Sequence, residues 1–152
     1  MKAQRRLVTS GRQRGVTAVE FALISGVFFT LLIGIVEFSR VLFYWNTAAE
    51  VTRLGARMAV VCDSGQASIK TRMRDMLPIL DNTNISVAYA PAGCDADPST
   101  ARSTCQRVTV SVANVSVATV IPLVPMTLSM PPFTTTLTRE SMQTSTGGSV
   151  CS

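Results

Sequence analysis

A long, largely apolar stretch near the N-terminus dominates the pattern of hydrophobic and polar positions in this chain. Glu20 is the one charged residue between Gly15 and Val36. The 21 residues from Val16 to Val36 would extend about 31 Å as a helix, which matches a bilayer hydrocarbon core of about 30 Å. The pattern therefore predicts one helix that can span a membrane.

A helical pattern continues beyond this stretch. Apolar side chains recur there at spacings of three and four, and polar side chains follow the opposite face, as on an amphipathic helix. The apolar positions are Val41, Tyr44, Ala48, Val51, Leu54, Met58 and Val61, and the polar positions are Asn46, Glu50, Arg53 and Arg57. We therefore expect one helix over residues 16–61, ended by turn-forming residues at 62–65.

Two pairs of opposite charges lie on this predicted helix, Glu37 with Arg40 and Glu50 with Arg53. The members of each pair are three residues apart and are therefore neighbours on a helix surface, where a pair contributes about 0.2–0.5 kcal/mol. We expect surface ion pairing to be the main use of these charges.

The remainder of the chain predicts a short helix and three strands. Helical spacing covers residues 66–77 before Pro78, and alternating patterns cover 85–89, 108–112 with a possible extension to Val120, and 133–142. Prolines at 122, 125, 131 and 132 bar a central strand between the last two. The expected fold class is α+β, with a long N-terminal transmembrane helix followed by a small antiparallel sheet that packs on its outer half.

Charge divides the chain into three parts. Five basic residues precede Gly15, whereas the remainder has nine basic and nine acidic side chains, so the leader accounts for the net charge of +5. The positive-inside rule then places residues 1–15 in the cytoplasm. Residues 16–61 form the predicted helix, and residues 62–152 form a small α+β domain on the other side of the membrane. Because the folded part has no basic surplus, we expect no nucleic-acid partner.

All four cysteines follow the apolar stretch, as expected in an oxidising compartment. Three pairings are possible in principle. We favour a Cys94–Cys105 bridge, worth about 3 kcal/mol, because these residues bracket a loop rich in Asp, Pro, Ser and Thr. This leaves Cys62 to pair with Cys151, which would tether an otherwise mobile polar tail at 144–152. The alternatives are four reduced thiols or a zinc site, although the chain has no histidine and no C-x-x-C motif.

An ordinary secretory signal peptide is an alternative to a permanent membrane helix. In that case Thr47-Ala48-Ala49 would be the cleavage site and Glu50 the first residue of the mature chain. The apolar stretch is too long for a typical signal peptide, contains Glu20, and runs without a break into the amphipathic helix. We therefore favour the membrane helix.

Few residues in this chain suit catalysis. Without histidine there is no Ser-His-Asp triad, no Cys-His pair and no histidine-containing zinc site, and no P-loop or dinucleotide fingerprint occurs. Asp95 and Asp97 could ligate calcium, but two acids without the full loop pattern favour a solvated turn. We expect no catalytic residue, no cofactor and no bound metal.

Three blocks of sequence resemble the TadE-like pseudopilins of the Tad (tight adherence, Flp) type IV pilus system. They are Ala18-Val19-Glu20-Phe21-Ala22-Leu23, Ile35-Val36-Glu37-Phe38-Ser39-Arg40 and Arg53-Leu54-Gly55-Ala56-Arg57-Met58-Ala59, in the expected order and spacing. Gly15 before Val16-Thr17-Ala18-Val19-Glu20-Phe21 is similar to the processing site of such proteins. One departure is Gly26, where many relatives carry a proline, which leaves no basis for a specific kink there.

The resemblance implies a role for several residues. A prepilin peptidase would cut after Gly15, and Glu20, next to Phe21, would pair with the new amine of Val16 on a neighbouring subunit to set their register. The other residues that match the family pattern are Glu37, Arg40, Arg53, Gly55, Ala56 and Arg57.

The implied function is that of a minor pilin or pseudopilin, inserted in the bacterial inner membrane, with a periplasmic domain. Its partners would be the prepilin peptidase, other pilins through the N-terminal helix, and the inner-membrane Tad assembly machinery; it would assist assembly or enter the extracellular fibre. The alternative is a single-pass, membrane-anchored periplasmic binding protein or enzyme unrelated to pili.

Overall fold

The structure is a computed structural model that describes residues 14–121 and 125–151. Its central element is helix α1, Arg14–Val61, which runs for 48 residues and would extend about 72 Å. Most of the predicted leader, residues 1–13, lies outside the described residues, and so do residues 122–124 and Ser152.

Nine further elements follow α1 in the part of the chain that the structure describes. In chain order they are α2 (Ala67–Met76), β1 (Ile85–Ala90), α3 (Pro98–Thr104), β2 (Arg107–Val112), β3 (Ser116–Ala118), β4 (Thr127–Ser129), β5 (Phe133–Thr138), α4 (Thr144–Gly147) and a 3-10 turn at Gly148–Val150. Strands β1, β2 and β5 form an antiparallel sheet in the order β1-β2-β5, and β3 pairs with β4 in a separate hairpin. The predicted α+β class is confirmed.

The three-stranded sheet packs on the outer half of α1. Alternation along β2 turns Val108, Val110 and Val112 into the core, where they are almost fully buried. The facing side of α1 presents small and medium side chains, including Ala48 and Val51, which are fully buried. The amphipathic pattern beyond the apolar stretch therefore predicted the face of α1 that enters the core.

The C-terminal end of α1 is closed by the chain that follows β5. The last carbonyls of a helix have no partner within the helix. Here the carbonyl of Val60 accepts from the backbone N–H groups of Glu140 (3.2 Å) and Met142 (3.1 Å), and that of Val61 accepts from Gln143 (2.7 Å). Residues 140–143 thus fix the end of the long helix to the sheet.

The expected extension of the second strand to Val120 is wrong. Strand β2 ends at Val112 because Asn114 takes a left-handed conformation, with φ of 57°, that an extended chain does not have. The Asn84 amide fixes this turn by donating to the carbonyls of Ala113 and Asn114. Residues 116–118 then form β3 in the hairpin with β4.

Two further expectations need correction. The predicted strand at 133–142 ends at Thr138, because residues 140–143 turn to bond the end of α1. The segment between Cys94 and Cys105 is not all loop, since it contains α3. Asp97 caps this helix by accepting from the backbone N–H of Ser99 at 3.1 Å, and Pro98 occupies the first helical position.

Candidate membrane and assembly site

The first half of α1 has apolar side chains on all sides. Large side chains that stay exposed in the isolated chain include Val16, Val19, Phe21, Leu23, Ile24, Val27, Phe28, Phe29, Leu31, Ile35, Val36 and Phe38. A helix that is apolar all round is buried in a large protein or spans a membrane. Within the described residues, the apolar segment of this helix is not buried against any other part of the chain. By its length and composition, α1 can cross a membrane.

Glu20 lies on this apolar half with its side chain exposed. In the described part of the chain, no hydrogen bond or ion pair is made by its carboxylate. A carboxylate in hydrocarbon is disfavoured by about 2.5–3.5 kcal/mol at the bilayer centre, and such groups pair with a partner or face a polar cavity. If α1 spans a membrane, the partner of Glu20 must come from outside the residues described here.

The expected processing site lies at the start of α1. Gly15 and Val16 belong to the helix and are exposed, and Phe21 is 72% exposed. A Cβ added at Gly15 would meet no atom within 4 Å. Neither packing nor backbone conformation in the described residues therefore requires a glycine at this position.

Glu37 and Arg40 form more than the surface ion pair expected from their spacing. Arg40 Nη2 donates to Glu37 Oε2 at 2.9 Å and also to the carbonyl of Ala118 in β3. The other oxygen of Glu37 accepts from the backbone N–H of Val120 at 2.6 Å. We call this arrangement of Glu37, Arg40, Ala118 and Val120 the hairpin clamp, since it fixes the β3–β4 hairpin to α1.

The third block of family residues has two kinds of environment. Arg53 pairs with Glu50 at 2.6 Å as expected, and both side chains are more than half exposed, so the pair contributes little to stability. Arg57 is exposed, whereas Gly55 and Ala56 are buried in the core. The two small residues therefore belong to the packed core, and the arginines belong to the surface.

Gly55 allows α2 to approach α1. A Cβ at this position would lie 2.5 Å from the sulfur of Met73, which is itself fully buried. We expect Gly55→Leu to lower the free energy of unfolding by about 1–3 kcal/mol, as overpacking usually does. Urea unfolding in detergent, followed by Trp45 fluorescence, measures this. Arg57→Leu is the control because the same side chain would then lie on the exposed face, and equal midpoints for the two variants would contradict the packing described.

Two disulfides close the domain, with the pairing that the sequence favoured. Cys62 at the end of α1 joins Cys151, and Cys94 joins Cys105 across α3. Next to the first bridge, Asp63 pairs with Arg102 at 2.9 Å. The hydrogen bonds from Arg102 and Thr144 hold the pKa of Asp63 below its usual range, so the carboxylate stays ionised and the pair persists at neutral pH.

Sequence reasoning missed the hairpin clamp. It identified Glu37 and Arg40, but strands β3 and β4 have three residues each, which is too short for an alternating pattern to be recognised. Asp97, considered as a calcium ligand, is used to cap α3. No group of three or more His, Cys, Asp or Glu side chains that could hold a metal occurs within residues 14–121 and 125–151.

These features define a class of protein with one membrane-length helix that continues into a disulfide-linked α+β domain. The family described as TadE-like protein matches residues 15–57, which carry Gly15, Glu20, the acidic and basic pair of the hairpin clamp, and the first five residues of the third block. The N-terminal half of α1 and most of its outer half are therefore TadE-like, consistent with a TadE-like protein of the Tad pilus system. No curated protein and no solved structure matches the chain.

Proposed function

We propose that this chain is a minor pilin or pseudopilin of a Tad-type pilus, with a structural rather than a catalytic role. One observation carries the proposal: a continuous helix presents an apolar surface all round in its first half and holds a folded domain on its second half. Glu20 lies on the apolar half, and its carboxylate has no partner among the described residues. Such a helix suits packing against other pilin helices, and the TadE-like match covers it.

The proposed processing and topology follow from the sequence around Gly15. A prepilin peptidase would cut after Gly15 and leave Val16 as the mature N-terminus. The basic leader favours a cytoplasmic N-terminus and a periplasmic domain, where disulfides form. The inner-membrane Tad assembly machinery and other pilins are the proposed partners, and the chain either assists assembly or enters the fibre.

The packing of α1 supports this proposal over a secretory signal peptide. Cleavage after Ala49 would cut α1 within the core, where Ala48 and Val51 are fully buried against the sheet. The domain would lose part of its core helix. We therefore expect residues 47–49 to remain intact in the mature protein.

The proposal predicts peptidase-dependent processing. Mass spectrometry of the membrane-associated protein should find Val16 at the N-terminus when the cognate prepilin peptidase is present and Met1 when it is absent. Gly15→Leu should abolish cleavage, because the peptidase must recognise the residue before the cut. Gly11→Leu places the same side chain in the same leader and should be processed normally.

Other N-termini identify the alternatives. Met1 in both strains would indicate an anchored binding protein or enzyme unrelated to pili, and Glu50 would indicate a secreted protein. Normal cleavage of Gly15→Leu would show that Gly15 is not the residue that the peptidase recognises, even if the wild-type chain is processed.

A further inference from the structure

We propose that the β3–β4 hairpin is a second membrane contact, which places Val120 and Met126 in the outer leaflet of the bilayer that α1 spans. The ligand is phospholipid, with apolar side chains against the acyl chains and Arg40 near the phosphates. This inference rests on the membrane anchoring in the proposed function. It concerns a surface to which the sequence motifs assign no role.

The hairpin clamp sets the height of the hairpin along α1. The apolar run that matches the bilayer core ends at Val36, so Glu37 and Arg40 lie at its outer boundary. Arg40 contacts Ala118 and Glu37 contacts Val120, which means that β3 descends towards the membrane as the chain proceeds. Residues 118–120 therefore run along α1 towards the bilayer.

The side chains at this end suit hydrocarbon. Val120 is 71% exposed and Met126 is 54% exposed, although both are apolar. Val120 also lines a groove with Leu32, Ile33 and Val36 of α1. Leu32 lies about 6 Å before Val36 along the helix, inside the predicted span. The apolar surface of the hairpin is thus continuous with that of the membrane helix.

The described backbone groups of Ala118, Thr119, Val120 and Met126 include five that are hydrogen-bonded, which suits a region with little water. Unpaired backbone groups cost several kcal/mol in hydrocarbon, so they must be satisfied within the protein. Here the N–H of Val120 donates to Glu37, and the carbonyl of Ala118 accepts from Arg40. Across the hairpin, the N–H of Thr119 donates to the carbonyl of Met126 at 2.8 Å, and the N–H of Met126 donates to Thr119 Oγ1 at 3.0 Å.

The charge of Arg40 fits the same location. Its side chain is about 30% exposed while it holds the clamp, so the guanidinium remains open to solvent on one side. Arginine binds phosphate well because its planar fork of donors matches the oxygen geometry. A bilayer provides phosphates directly outside the acyl chains, at the level where Glu37 ends the apolar run.

Depth-dependent fluorescence quenching tests this proposal on the full chain. Trp45 is the single tryptophan, so Trp45→Phe gives a background into which one tryptophan is placed at Val120 or, separately, at Met126. The variants are reconstituted in vesicles of phosphatidylethanolamine and phosphatidylglycerol that contain brominated phosphatidylcholine. We expect bromines near the headgroup end of the acyl chains to quench the fluorescence at both positions, as for a group inside the hydrocarbon core.

Two control positions bracket the measurement. Phe28→Trp lies in the middle of the apolar run and should be quenched, mainly by bromines near the chain ends. Thr134→Trp should not be quenched, because it neighbours Thr135, whose hydroxyl lies 3.0 Å from that of Thr52. Thr52 is about 24 Å beyond Val36 along α1.

The outcomes distinguish the hairpin contact from the membrane anchoring of α1 on which it rests. Quenching at Phe28 with none at Val120 and Met126 overturns the hairpin contact and leaves the anchor intact. No quenching at Phe28 overturns both. A blue-shifted but unquenched Val120→Trp emission that disappears on dilution into excess lipid would mean that a second copy covers the hairpin, which also overturns the proposal. Quenching independent of the protein-to-lipid ratio supports it.

Discussion

Removing the Cys62–Cys151 disulfide should destabilise the domain more than any other single change described here. The double variant Cys62→Ala, Cys151→Ala opens a loop that spans 89 residues. On the chain-entropy model a bridge of this separation contributes about 4.6 kcal/mol, against about 2.8 kcal/mol for a separation of 11 residues. A typical domain has only about 5–15 kcal/mol in total, so the first loss amounts to between about a third and nearly all of the stability of such a domain.

The surroundings of the bridge add to this expectation. Gly147 packs so closely against Cys151 that a Cβ there would lie 2.3 Å from the sulfur. Ser68 in α2 donates to the carbonyl of Cys151 at 3.1 Å, so the tail also contacts the second helix. Loss of the bridge should loosen residues 144–151 first, because the bridge is their covalent connection to the end of α1.

Urea unfolding in detergent, followed by Trp45 fluorescence, measures the difference. Trp45 is a suitable probe because it is partly buried against the core. Cys94→Ala, Cys105→Ala is the matched control, since it also removes one bridge and two sulfurs. A larger loss for the control would show that the long bridge does not restrain the unfolded chain as proposed.

The main features of the fold were predictable because they depend on long, regular patterns. Residues 16–36 are apolar at almost every position, and the spacing from Val41 to Val61 repeats over many turns of helix. The alternation in β2 likewise identified Val108, Val110 and Val112 as core residues. Each of these patterns extends over several positions, so a single exception such as Glu20 does not obscure the pattern.

The features that were missed depend on single residues and on distant contacts. Asn114 ends β2 because it is left-handed, in a segment whose pattern predicts a strand. Asp97 and Pro98 start α3 in a segment whose composition predicts a loop. The hairpin clamp joins positions 83 residues apart, Glu37 and Val120, which no local pattern reveals. The sequence signal for the clamp is the acidic and basic pair itself, because Glu37 and Arg40 follow directly after the apolar run.

The candidate site was predicted in part for the same reason. Glu20 was identifiable because a charge inside an apolar run is costly. Gly55 was identified through the family resemblance alone, and its physical role against Met73 needed the structure. The continuous helix also has a consequence for the proposed function, because any register that other pilins impose on its apolar half is transmitted directly to the domain.

Glu20→Gln should abolish assembly while leaving processing intact. The amide has nearly the same shape as the carboxylate, so packing of the helix is preserved and only the charge is lost. In the proposed assembly the carboxylate pairs in low dielectric with the amine of Val16 on a neighbouring subunit. Removing one partner of such a pair costs about 3–5 kcal/mol, which corresponds to a loss of more than about a hundredfold in association.

Two measurements on the same cells separate assembly from processing. Mass spectrometry should find Val16 as the N-terminus of Glu20→Gln, as in the wild type. Electron microscopy of piliation and co-isolation with the other pilins should show the loss. Glu50→Gln is the matched control, because Glu50 is an exposed acid on the same helix and makes only a surface pair with Arg53.

The opposite result has an equally definite physical meaning. If Glu20 merely extends its carboxylate to the cytoplasmic interface, about 6 Å along the helix from Val16, the amide should insert at least as well as the acid. Normal piliation and normal co-isolation of Glu20→Gln would then show that the apolar helix packs without a charge pair. In that case subunit register would have to come from the shape of the helix surface or from the folded domain.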